Sequence, residues 1–166
     1  IRKPGSVGKQ IVGVEAKVVN EKGVEVPVGE IGEIIYRGPG MFLEYYNDPQ
    51  ATQEAIKDGW FHSGDLVRKD EEGYIYVIDR KKDMIISGGE NVYPAEVEEV
   101  LYRHKKVLEV AVIGIPSEKW GEEVHAVVVV KPGEILTEEE LTNFCINKLA
   151  GYNKPRSVAF VEALPR

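Results

Sequence analysis

Residues Tyr74 to Glu98 read YIYVIDRKKDMIISGGENVYPAEVE, and the fold turns on how this stretch is divided. Tyr74 to Asp79, opened by Gly73, is β-branched and aromatic and predicts a strand. Arg80-Lys81-Lys82-Asp83 is a charged break with no apolar period. Met84-Ile85-Ile86 resumes an apolar run, Gly88-Gly89 forces a turn, and Pro94 opens a helix. Two apolar elements joined by a solvated, charged connector describe a hinge between two rigid bodies. The same residues also describe a plain surface loop.

Outward from this stretch the chain changes character. On the N-terminal side, Val14, Ala16 and Val18 alternate with Glu15 and Lys17, the period of a half-buried strand. Gly32 to Arg37 predicts another strand, stopped by Gly38-Pro39-Gly40. Asp48 and Pro49 are an N-cap and first helical residue, for a short helix through about Ile56. Residues 1–79 therefore read as mostly β. On the C-terminal side, a helix over Pro94–Arg103 carries Val97, Val100 and Leu101 on one face. A strand over Val107–Ile115, ended by Pro116, and a strand over Val124–Val130 follow. Thr137 and Glu140 have the spacing of a capping box, for a helix running to about Leu149. Ser157–Val161 is a last strand. The order α-β-β-α-β argues a small α/β sandwich, so the chain as a whole reads as α+β.

Bulk properties narrow the partners. The 166 residues carry a net charge of −7. That acidic balance argues against nucleic acid, which needs a basic face. The single cysteine, Cys145, forms no internal disulfide and fits a cytoplasmic compartment. No window is apolar enough for a transmembrane segment. His62, His104 and His125 share no ligand spacing, so no protein-held metal is expected. Gly38-Pro39-Gly40 is no phosphate loop, because no Lys-Ser/Thr follows it.

Several side chains invite chemistry. Asp65 follows a glycine in His62-Ser63-Gly64-Asp65, just before a strand, where a carboxylate can approach a sugar diol or serve only as a turn residue. Arg80 can donate to ribose and phosphate oxygens, or form a surface salt bridge with Asp79 or Asp83. Lys81 and Asp83 read as solvated charges. Trp120 is a packing cap or a platform for a base.

DRKKDMIISGGENVYPAEVE, together with FHSGDL at Phe61–Leu66, resembles the adenylate-forming superfamily of acyl-CoA synthetases, luciferases and peptide-synthetase adenylation domains. Within it the chain looks most like the fatty-acid and medium-chain acyl-CoA ligases. The resemblance implies a β-rich tail of a larger N-terminal domain over 1–79, a hinge over 80–83, and a small mobile domain over 84–166. It implies that Asp65 and Arg80 bind the ribose region of the nucleotide, that Lys82 is the hinge residue, and that Gly88, Gly89 and Trp120 line the path of coenzyme A. It implies ATP with Mg²⁺, CoA and a carboxylic acid as the ligands. An aryl- or short-chain-acid CoA ligase shares all these motifs, and so does a non-enzymatic interaction module of the same fold. The family's Ser/Thr/Gly-rich phosphate loop has no match here, and its adenylation lysine is expected beyond Arg166. By this reading the chain holds no catalytic residue of its own and is inactive alone.

Overall fold

A computed structural model describes residues 3–165, in which the chain divides into two compact units, Ile1–Lys82 and Asp83–Arg166. Ile1 and Arg166, the outer limits of the expected segments, lie outside the described residues.

The first unit is built on one antiparallel sheet. Its elements are β1 (Glu15–Val19), β2 (Ile31–Arg37), α1 (Pro49–Ala55), β3 (Ile56–Lys57), β4 (Trp60–Lys69) and β5 (Ile75–Arg80). β2 lies between β1 and β4, and β4 also pairs with β3 and β5. The alternation in β1 is realised: Val18 is buried while Glu15 and Lys17 are exposed. Val18, Val67 and Ile75 form a small core, with Val26 and Ile34 against it. α1 starts as the sequence predicts, with the Asp48 carboxylate accepting from Ala51 N at 2.9 Å. One expectation is corrected. Asp65 does not precede a strand but sits inside β4, because β4 absorbs extra residues as bulges and continues.

The second unit runs β6 (Ile85–Ser87), β7 (Glu90–Val92), α2 (Pro94–Tyr102), β8 (Val107–Ser117), β9 (Gly121–Val130), α3 (Glu138–Phe144) and β10 (Ser157–Phe160). The α-β-β-α-β order is present, preceded by the β6–β7 hairpin. β9 is the central strand, antiparallel to β8 and β6 and parallel to β10. Val124, Ala126 and Val128 recur every second residue along it and are all fully buried. They join Val97 and Leu101 of α2, Leu141 of α3, and Val110 and Val112 of β8 in one core. Each large side chain buried there contributes about 1.5–3 kcal/mol.

Two boundaries and one cap differ from expectation. Pro116 does not end β8, which continues to Ser117. β8 pairs with β9 alone among the described strands, and an edge strand tolerates a residue without an N–H. α3 ends at Phe144, not near Leu149, and Asn147 turns left-handed at φ 64°. Only half of the capping box forms. Thr137 accepts from Glu140 N, while the Glu140 carboxylate reaches Lys106 instead. Among the described residues, no helix is long and apolar enough to cross a membrane.

Candidate functional site

In the first unit, β4 and β5 bring Asp65 and Arg80 together. The two residues are direct partners in the strand register, and Arg80 Nε lies 3.9 Å from Asp65 Oδ1. The Arg80 side chain is 61% exposed and that of Asp65, half-buried, 41%, so both can be reached from solvent. Two irregularities put Asp65 there. Between Glu33↔Leu66 and Ile35↔His62, one residue of β2 faces three of β4: Ser63, Gly64 and Asp65. Between Leu66↔Asp79 and Val67↔Val77, β5 has an extra residue, Ile78. Asp65 therefore stands at the end of one bulge and just ahead of a second in the neighbouring strand, where local twist re-aims a side chain.

Backbone groups freed by a bulge need other partners. Ser63 Oγ donates to Ile34 O at 2.8 Å and accepts from Asp65 N at 3.0 Å. Gly64 takes φ 74°, a left-handed conformation, and its N–H donates to Glu33 Oε1 at 3.2 Å. Glu33 is a carboxylate only 6% exposed. Lys81 Nζ donates to its Oε2 at 2.9 Å, and His62 Nδ1 lies 3.3 Å from the same oxygen. Burial pushes the Glu33 carboxyl up, but the hydrogen bonds of Lys81 and His62, the Lys81 charge and the Gly64 N–H outweigh it and hold it below its ordinary value. Lys81 is thus no idle surface charge. Arg80 finds Asp65 as its side-chain partner, while its backbone N–H donates to Asp79 Oδ1 at 2.8 Å. Lys82 lies in the helical turn Lys81–Asp83, at the end of the first unit.

The second unit gathers Gly88, Gly89 and Trp120. Gly88 and Gly89 form the two-residue loop between β6 and β7, with φ 63° and 88°. Positive φ at both positions is the pattern of a type I′ hairpin turn. Gly88 N donates to Trp120 O at 2.9 Å, and Ile86 N donates to Glu122 Oε2 at 2.8 Å, so the hairpin is pinned to the β8–β9 turn. A Cβ on Gly88 would stand 2.9 Å from Trp120 Cε3, whereas one on Gly89 would meet nothing within 4 Å. Gly88 is therefore required by packing as well as by conformation.

Around Trp120 the structure adds cations that sequence reasoning passed over. The Arg156 guanidinium lies 4.1 Å from the ring centroid and Lys119 Nζ lies 4.7 Å from it. Arg156 is 36 positions away in the chain and carries no motif of its own. It arrives because its N–H donates to Val124 O at 2.8 Å, just ahead of the parallel pairing of β10 with β9. Glu33 was likewise invisible, a single acidic residue in a strand. Cys145 is fully buried in the core, and burial pushes its thiol up, as suits a packing residue. No group of three His, Cys, Asp or Glu side chains is placed to hold a metal ion among the described residues.

Comparison with known proteins gives a consistent picture. Residues 1–46 match the family model of the AMP-binding enzymes, and residues 96–166 that of the AMP-binding enzyme C-terminal domain. The chain is 48% identical, over all 166 residues, to a 2-succinylbenzoate–CoA ligase of Bacillus cereus (strain Q1) and covers 34% of it. It spans about a third of the length of the curated relatives it matches. The structure of ATP-bound MatB from Rhodopseudomonas palustris matches all of the chain with TM-score 0.92 and 42% identity, the chain covering 33% of it. The apo structure of the same MatB matches all of the chain at 42% identity but with TM-score 0.68, the chain covering 34% of it. O-succinylbenzoate CoA synthetase from Bacillus subtilis, in complex with its acyl-adenylate intermediate, matches 99% of the chain with TM-score 0.89 and 41% identity, the chain covering 33% of it. Where these names state an acid, it is an aryl acid. That fits the aryl-acid alternative better than the fatty-acid reading.

Proposed function

Because the chain belongs to the AMP-binding, adenylate-forming enzyme family, we propose that it serves an ATP-dependent, AMP-forming CoA ligase acting on an aryl or short-chain carboxylic acid. The observation that carries this reading is the 48% identity to a 2-succinylbenzoate–CoA ligase along the whole chain. The fatty-acid assignment gives way to it.

The reaction has two steps. The acid's carboxylate oxygen attacks the α-phosphorus of ATP, the bond to the β-phosphate oxygen breaks, and acyl-AMP and pyrophosphate form. The CoA sulfur then attacks the acyl carbon, loses its proton, and the bond to AMP breaks. Asp65 accepts the two hydroxyls of the ribose diol, and Arg80 beside it donates to ribose or phosphate oxygens. Neither residue changes bonding; both hold the nucleotide through each step. Trp120, with Arg156 and Lys119 against it, offers an aromatic face and two positive charges, a fitting surface for the nucleotide end of CoA. Gly89, open on its Cβ side, leaves room for the thiol arm.

Lys82 is the pivot by which the second unit would present different faces in the two steps. Support comes from MatB, whose ATP-bound and apo structures match this chain at 0.92 and 0.68, so that one relative takes two shapes over the matched region.

ATP–pyrophosphate exchange by the full-length protein, run against a panel of acids, tests the assignment. Exchange is expected with 2-succinylbenzoate or another aryl or short-chain acid. Exchange with fatty acids alone would restore the fatty-acid reading, and none with any acid would favour a non-enzymatic module. The 166-residue chain alone is expected to turn over neither step.

A further inference from the structure

We propose that Glu33 is a positioning residue that serves the nucleotide site and the joint at once, through one buried carboxylate. The proposal rests on the ligase reading for its kinetic consequence, though not for its structural one.

The two oxygens of Glu33 do different work. Oε1 accepts from Gly64 N, the apex of the bulge that presents Asp65. Oε2 accepts from Lys81 Nζ, one residue before the last residue of the first unit. A buried carboxylate without compensation is costly, so Glu33 needs a cation, and Lys81 supplies it with His62 close by. The bulge needs an acceptor for an N–H that faces no strand partner, and Glu33 supplies that. Removal of either contact therefore disturbs the other. An unpaired Glu33 charge weakens its hold on the bulge, and a missing carboxylate frees both Gly64 N and Lys81. Asp65 and the entry to the turn Lys81–Asp83 share an anchor that neither carries in its own local sequence. Glu33 touches no reacting atom; it acts through Asp65 and Lys81.

Glu33→Ala, Glu33→Gln and Lys81→Met test the proposal. In the 166-residue chain, Glu33→Ala should raise amide exchange at Gly64 and Asp65 by about tenfold or more, the effect of losing a hydrogen bond to a charged group, while the β1–β2 amides hold. Glu33→Gln keeps an acceptor for Gly64 N but loses the charge that holds Lys81. It should therefore spare Gly64 exchange more than Glu33→Ala does, and resemble Lys81→Met. In the full-length ligase, Glu33→Ala should raise KM for ATP by about tenfold or more with KM for the acid unchanged. Unchanged exchange at Gly64 and Asp65, or an equal rise throughout the first unit, would overturn the proposal and leave Glu33 an ordinary fold residue. A fall in kcat with KM for ATP intact would overturn it as well. Should the wild-type protein ligate no acid, the ligase reading fails, and the exchange measurements still decide the role of Glu33.

Discussion

At the scale of single residues, the two glycines of the β6–β7 loop separate packing from function. Both take positive φ, so any side chain there carries a backbone cost of roughly 1–3 kcal/mol. Only Gly88 lies against Trp120. Gly88→Ala should therefore lower the melting temperature of the second unit and shift tryptophan fluorescence, because the indole must move from its place beside Arg156. An unaltered emission spectrum would show that the indole stays where it is. Gly89→Leu meets open space and should fold nearly as well as Gly89→Ala, with which it shares the backbone cost. Under the proposed ligase reading, Gly89→Leu in the full-length protein should slow thioester formation well beyond Gly89→Ala and leave acyl-AMP formation at the Ala level. Equal losses in both half-reactions for Leu and Ala would make Gly89 a conformational residue only.

At the scale of elements, the β4–β5 connection carries an acid-sensitive device. The Asp70 carboxylate accepts from Lys3 Nζ at 2.8 Å, from Tyr74 N at 2.9 Å and from Glu72 N at 3.0 Å. The Lys3 hydrogen bond, opposed by burial and helped by the Tyr74 and Glu72 N–H groups, holds the Asp70 carboxyl at about 2 against an ordinary 3.8. A carboxyl whose value falls on folding stabilises the fold above its unfolded value and loses that contribution as pH drops through its folded value. Asp70 thus contributes fully above about pH 4 and progressively less towards pH 2. Glu33 has the same sign. The melting temperature of the first unit should fall over this window, and Asp70→Asn should flatten the fall without abolishing it. Parallel pH profiles for wild type and Asp70→Asn, read by calorimetry, would remove Asp70 from the account.

At the scale of the whole molecule, the chain has two units, each with its own core, and the division along the chain falls between Lys82 and Asp83. The proposed pivot requires the backbone at Lys82 to take two sets of dihedrals. Proline fixes φ near −65° and removes the N–H, so Lys82→Pro should leave one arrangement accessible and exclude another. Under the proposed ligase reading, one half-reaction of the full-length protein should then persist while the other falls by orders of magnitude, each ~1.4 kcal/mol on its barrier costing tenfold. Single-turnover formation of acyl-AMP, and its consumption by CoA, measure the two separately. Wild-type rates for both would place the pivot elsewhere.

The sequence by itself determined the class of the fold and the start of each helix. Those signals are local: the alternation through Val18, the proline and cap at Asp48–Pro49, the glycines at 88 and 89, and the order α-β-β-α-β depend on neighbours a few positions apart. Local signals also misled where a distant partner had the final word. Pro116 looked like a strand end, but the N–H it lacks matters little on an edge strand. The helix from Thr137 looked longer, but Asn147 turns the chain left-handed. Only the tertiary structure decided the rest. Asp65 faces Arg80 because two bulges shift the register of β4, and a bulge is a count across strands that no single segment displays. Arg156 reaches Trp120 through the parallel pairing of strands whose partners, such as His125 and Ser157, lie 32 positions apart, and Glu33 reaches Lys81 across 48 positions. A buried carboxylate and a stacked guanidinium acquire their roles from what surrounds them in space, and that neighbourhood forms only when the chain folds.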